Sequence, residues 1–156
     1  MVTKLTRDKA MPFLDKNKGV GTAEYVRIGR STIFKLDYNA DTSDVDFIMY
    51  ATKQTELNAY KPSMDQEIAL YEGDSCYDFL APLAFALDVN DSTIPLLLCF
   101  PGTPKLAWRV PLNQIVFNDS DFASGKIEFT CNLNGDIEKG TYTITDGVPT
   151  FVASQS

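Results

Sequence analysis

The chain has 156 residues, is 44% hydrophobic and carries a formal net charge of −7 with no histidine. That length fits one domain with a substantial core, and the composition excludes wholesale disorder. The lack of histidine excludes Ser-His and Cys-His nucleophile pairs and most transition-metal sites, and no run reaches the roughly 18 apolar residues of a membrane span.

Residues 1–22 lack sustained periodicity and end in Gly19-Val20-Gly21, which predicts an irregular N-terminal arm ahead of a domain over 23–156. The opening stretch has no apolar core of the secretory kind, so Sec export is not expected and the Asn-x-Ser sequons at Asn90 and Asn118 carry no glycosylation meaning. Residues 1–30 hold seven Lys or Arg against three acids, whereas the remainder holds seven against eighteen. A basic arm on an acidic body suggests head-to-tail contact between copies; a solvated N-terminus accounts for the same charges. A nucleic-acid clamp is disfavoured, because the body repels phosphate.

From Tyr25 to Tyr38 β-branched and aromatic residues dominate, with a break at Gly29 and the clearest strand at Thr32, Phe34, Leu36 and Tyr38. Asn39 to Ser43 reads as a polar turn, and Val45, Phe47 and Met49 as a second strand hairpin-paired with the first. The polar stretch 51–65 predicts a long loop, a length usually functional or mobile. Gln66 to Tyr71 reads as a short strand. Asp74 or Ser75 is then available to cap a helix of about 75–87, with Cys76, Phe79, Leu80, Leu83 and Leu87 at core-facing spacing. Pro82 inside it predicts a kink or two short pieces. Ile94 to Phe100 reads as a buried strand, and Trp108 to Phe117 as a strand with an edge or bulge at Pro111.

Ser124 to Val152 reads as strand, turn, strand, turn, strand. Ile127, Phe129, Cys131 and Leu133 alternate with polar residues, and Asn134-Gly135 and Asp146-Gly147 are the dipeptides that best tolerate positive φ in tight hairpins. The fold class expected is mainly β, an antiparallel β-sandwich or barrel with one flanking α-helix. The segment is built to pair edge to edge and carries no reactive group, which puts structure and assembly before catalysis.

The search for chemistry supports that order, and no enzymatic activity, cofactor or metal is expected. Cys76, Cys99 and Cys131 fit no disulfide framework or zinc spacing and read as small core residues. Gly73-Asp74-Ser75 has the look of a hydrolase nucleophile block, but no base is available to activate Ser75. Asp37-x-Asn39-x-Asp41 begins like a calcium loop, then has Thr42 where glycine is needed and Ile48 where the bidentate acid belongs; a hairpin turn explains it better. Asp44 and Asp46 share a strand face in this reading, without a substrate pocket near them. Trp108 is read as a core or interface anchor.

Three blocks, taken in order, resemble the tail tube (major tail) proteins of long-tailed bacteriophages. They are Tyr60-Lys61-Pro62-Ser63-Met64-Asp65-Gln66-Glu67, Tyr71-Glu72-Gly73-Asp74 leading into the helix, and the closing Asn132 to Thr141 with Thr145 to Phe151. With the hairpin and the polar loop that precede them, the resemblance covers Gly21 to Val152. Pro82 departs from the pattern, and no immunoglobulin-like C-terminal domain of the kind some tail proteins carry is expected. The resemblance implies a small β-sandwich forming hexameric rings stacked around a tape-measure protein, with tail-tip and tail-terminator proteins at the ends. Double-stranded DNA would pass through transiently, without specific binding and with no membrane partner. The protein would reside in the virion tail after assembly in the bacterial cytoplasm.

Within that frame an acidic lumen lets DNA slide, with Asp44, Asp46 and Glu128 as candidates; a solvated outer sheet face explains the same residues. Loop 51–65 is assigned to ring stacking with Tyr60 and Met64 as apolar anchors, and the arm bridges to an adjacent subunit through Lys4, Arg7 and Lys9. Two alternatives stand beside this. One is the tube protein of a contractile injection or type VI secretion apparatus; the other is a monomeric β-sandwich binding module, which requires a surface aromatic platform.

Overall fold

A computed structural model describes residues 2–154. The chain runs β1 (Met11–Asp15), β2 (Tyr25–Arg27), β3 (Ser31–Asp37), β4 (Ala40–Val45), β5 (Gln54–Tyr60), β6 (Ser63–Ala69), α1 (Ser75–Ala86), β7 (Leu96–Cys99), β8 (Leu106–Val110), β9 (Leu112–Asp121), β10 (Lys126–Asn134), β11 (Glu138–Thr145) and β12 (Val148–Ala153). The fold is mainly β and antiparallel, with one flanking helix. A six-stranded sheet has the order β12-β11-β8-β7-β1-β2, a four-stranded sheet the order β3-β6-β10-β9, and β4 and β5 pair as a separate ribbon.

Alternation places the core. On β10 the side chains Ile127, Phe129, Cys131 and Leu133 point inward, and on β6 Met64, Gln66 and Ile68 do the same. They meet Leu14, Leu96, Leu98 and Val110 of the six-stranded sheet, with Cys76 and Leu80 of α1 closing the cluster. β7 is buried on both faces, because Leu97 and Cys99 join Phe13, Ala107 and Tyr142 in a second cluster. All of that cluster's buried members come from the six-stranded sheet, which therefore curls around it; the Tyr142 hydroxyl donates to the Phe100 carbonyl at 3.0 Å.

Pro111 breaks the expected 108–117 strand into β8 and β9, and there the chain crosses from one sheet to the other. It crosses back at 135–137. Asn134-Gly135 therefore joins strands of different sheets rather than closing a hairpin, and only Gly135 takes positive φ. Asp146 and Gly147 both have positive φ, and Thr145 pairs with Val148 as a tight hairpin requires. α1 passes through Pro82 as one helix: Pro82 and Asp78 are both exposed, so the carbonyl left without a donor is on the solvent side. Neither Asp74 nor Ser75 caps it through a side chain; Asp78 accepts from the Gly73 N–H at 3.3 Å instead.

Two expectations give way to strands. In the arm, Met11–Asp15 forms β1 between β7 and β2, with Phe13 and Leu14 buried on opposite faces. Its five residues and Pro12 hide the pattern. The turn after it is organised by buried Asp15, which accepts from the backbone N–H groups of Asn17, Gly19 and Glu24. The loop expected at 51–65 is instead β5 and the start of β6, while the strand expected at 45–50 is the turn between β4 and β5. β3-β4 and β5-β6 thus form one long hairpin. Its β4–β5 end is solvated on both faces, so no apolar alternation marks it.

Candidate assembly interface

The four-stranded sheet ends in two open edges. Along β3 the outer backbone edge has no strand partner among the described residues, and Ile33 and Phe34 beside it are exposed. On β9 the first residues are covered: Thr93 bridges Gln114, and the Ile115 N–H donates to the Ser92 carbonyl. From Val116 to Asp121 the β9 edge is open, flanked by exposed Phe85, Leu87, Val89 and Phe122. Open apolar edges invite pairing with another chain.

The outward face of this sheet is acidic. Glu67 on β6 stands opposite Glu128 on β10, which stands opposite Asp119 on β9. Asp65 and Asp121 extend the set, against Lys35 and Lys126. Like charges on adjacent strands destabilise a sheet, so the row favours a face whose potential matters. Local donors offset part of the repulsion. The Thr32 hydroxyl donates to Glu67 at 2.7 Å and Lys126 Nζ lies 3.3 Å from it, which together hold the Glu67 carboxyl below the usual range. The Ser124 backbone N–H does the same for Asp121.

The hairpin β4–β5 extends from the opposite side of β3 and β6 to that of the 31/68 pair. At its base Asn39 has positive φ, and its amide donates to the Lys61 carbonyl at 3.0 Å and the Ser63 hydroxyl at 2.9 Å. Tyr38 and Tyr60 meet edge to face there, 6.2 Å apart, and with Trp108 line a groove of about 540 Å3. At the tip Phe47, Ile48, Met49 and Tyr50 are exposed, Ile48 completely.

These positions sort the sequence candidates. Glu128 lies in the acidic row. Asp44 is on β4, accepting from the Thr55 hydroxyl at 3.0 Å, and Asp46 is in the tip turn, so neither shares a face with Glu128. Tyr60 is exposed at the hairpin base. Met64 is not an exposed anchor: it is 0% exposed, the first inward residue of β6 after Pro62. The exposed apolar residues of this hairpin include those of the tip, 47–50, a segment whose alternation predicts a strand but which forms the turn between β4 and β5. Lys4, Arg7 and Lys9 are exposed, and the Arg27 guanidinium donates to the Asp8 carbonyl at 3.0 Å beside them. Lys16 and Lys18 are satisfied within the chain by Glu24 and Asp91.

The cysteines are free and buried, as the sequence predicts. Burial pushes the Cys99 and Cys131 thiols up to about 12 and Cys76 higher still, so none supplies a thiolate nucleophile at neutral pH. Asn113, also buried, donates its amide to the Ile94 carbonyl at 2.9 Å, a structural bond.

No protein-family model matches the sequence, and no curated protein matches it. Solved structures do. A chain in the tail of an empty gene transfer agent particle, determined with helical refinement and C6 symmetry, aligns at TM-score 0.57 and 13% identity over 85% of this chain and 96% of that one. A chain of the native gene transfer agent virion aligns at TM-score 0.56 and 14% identity, covering 86% and 97%. A chain of the sixfold-symmetrised anti-feeding prophage baseplate aligns at TM-score 0.50 and 9% identity, covering 90% and 98%. The chain therefore shares its fold with these tail, virion and baseplate chains.

Proposed function

We propose that this chain is a non-enzymatic structural subunit of a phage-like tail, assembling with itself into stacked rings, six copies to a ring, around a channel for DNA. The observation that carries the reading is the pair of open edges on one sheet. The β3 edge of one copy pairs with the Val116–Asp121 edge of the next, and repetition closes the four-stranded sheets into a continuous barrel without edges. Phe85, Leu87, Val89 and Phe122 are covered at that junction. The C6 symmetry of the gene transfer agent tail supports the ring number.

In this arrangement the outward face of the four-stranded sheet lines the channel, and Glu67, Asp119 and Glu128 repel the DNA phosphates so that the duplex slides without sticking. Asp44 and Asp46 belong to stacking rather than to the lumen. The hairpin with Tyr60 reaches the adjacent ring, and the arm with Lys4, Arg7 and Lys9 bridges to a neighbouring subunit. A tape-measure protein occupies the channel before DNA, with tail-tip and terminator proteins at its ends and the virion tail as the site of residence.

Negative-stain electron microscopy of the purified chain at low and high concentration tests this. Stacked rings with a central channel are expected. A monodisperse monomer that persists after a tail-tip complex is added refutes it, and tubes of unchanged yield after deletion of residues 1–9, which leaves β1 in place, refute the role of the arm. The likeness to the anti-feeding prophage baseplate chain favours one second reading, a tube subunit of a contractile injection apparatus. Neighbouring sheath and effector genes, in place of tape-measure and head-completion genes, would select it.

A further inference from the structure

We propose that the acidic β4–β5 hairpin of one copy docks into a basic groove between the N-terminal segment and β3 of a second copy. This rests on the stacked-copy reading and names the receiving surface that reading leaves unassigned. The groove has a volume of about 390 Å3 and is lined by Arg7, Asp8, Ala10, Arg27, Thr32 and Phe34, two arginines against one acid. Neither Arg7 nor Arg27 forms an ion pair with a carboxylate among the described residues. Arg30, next along the chain, stacks over the Tyr71 ring at 4.8 Å and adds to the local positive charge.

The hairpin is the complement. Residues 40–60 carry Asp41, Asp44, Asp46 and Glu56 against Lys53, around an apolar tip of Phe47, Ile48, Met49 and Tyr50. Its charges match the arginines, and its tip matches the apolar wall formed by Ala10 and Phe34. Position completes the argument. The hairpin leaves β3 beyond Asp37, whereas the groove occupies the half of β3 from Ser31 to Phe34, about 10–20 Å back along the strand. Complementary surfaces separated in this way on one molecule do not meet within it. They join successive copies head to tail, a contact that propagates as a filament instead of closing.

A pair of charge-reversed chains tests the docking. R7E/R27E has an acidic groove and an acidic hairpin; D44K/D46K has a basic groove and a basic hairpin. Each alone is expected to form rings without tubes, and copy-to-copy association beyond the ring, measured by sedimentation, weakens by more than about tenfold. An equimolar mixture of the two kinds of pre-formed ring restores tubes, since stacking in alternation sets every hairpin against an opposite groove. Tubes from either variant alone at wild-type yield overturn the docking while leaving the ring reading intact. Loss of duplex-DNA binding in R7E/R27E with association unchanged assigns the groove to a phosphate backbone and also overturns it. A wild-type chain forming neither rings nor tubes, together with an inert mixture, removes both readings.

Discussion

Glu67 faces Glu128 across β6 and β10, yet the Glu67 carboxyl is held below its usual range, because the Thr32 hydroxyl and the Lys126 ammonium bind its charged form. A carboxyl depressed in the folded state contributes stability above its unfolded value, about 4.3, and loses it as pH falls through the lower folded value. Acidification below about pH 4 is therefore expected to lower the Tm of the wild-type chain more steeply than that of Glu67→Gln. Circular-dichroism melts between about pH 2 and 6 check this, and equal slopes in the two proteins refute it. Asp121, lowered by the Ser124 N–H, follows the same sign.

Met64 and Tyr60 are four residues apart and belong to different parts of the molecule. Met64→Ala opens a cavity beneath β6 and is expected to cost about 2–5 kcal/mol of stability. Tyr60→Ala removes an exposed ring that touches Tyr38 edge to face and is expected to cost about 1 kcal/mol or less. Assembly reverses the order of interest: if Tyr60 reaches the adjacent ring, Tyr60→Ala is expected to reduce tube yield although its fold persists. Urea unfolding and electron microscopy of both variants decide; a stability loss at Tyr60 as large as that at Met64 contradicts the assignment.

The contrast between these two residues also marks what the sequence could reveal. Where one face is buried and the other wet, as on β10 and α1, the period is written in the residue types and both elements fall where expected, except that Leu87, expected on the core face of α1, caps its end and is exposed. Asp146-Gly147 is legible because its turn depends on local φ alone. β1 is buried on both faces, short and interrupted by Pro12, and β4–β5 is buried on neither. In both cases alternation vanishes. Asn134-Gly135 misleads because the same turn chemistry serves a crossing between sheets, flanked by Leu133 and Ile137, which both pack in the main core. The acidic row depends on cross-strand register, so Glu128 could be nominated from sequence while its neighbours Glu67 and Asp119 could not.

Gly140 shows why the closing hairpin of the six-stranded sheet tolerates no side chain there. A Cβ at this position would run into the Val152 carbonyl oxygen and lie 2.9 Å from the Ala153 Cα, both backbone atoms of β12. The neighbouring strand must shift to admit it. Gly140→Ala is expected to destabilise the chain by about 1–3 kcal/mol, with amide exchange accelerated first in β11 and β12. A midpoint in urea equal to wild type excludes the clash.

Leu87 holds the left-handed conformation at the end of α1, φ 56°, while 87% exposed. Both facts count against leucine on grounds of folding alone: the conformation costs a residue with a Cβ about 1–2 kcal/mol, and glycine is the usual occupant. Leu87→Gly is therefore expected to stabilise the isolated chain by about 1 kcal/mol. The same substitution strips an apolar side chain from beside the open β9 edge, in the groove lined by Leu83, Val89, Val116 and Phe117. If that edge joins neighbouring copies, the variant melts at a higher temperature and assembles into rings at lower yield. Calorimetry on the monomer and electron microscopy at matched concentration measure the two effects separately. A variant that is more stable and still assembles normally would leave the edge pairing to the β9 backbone, without the apolar rim around Leu87.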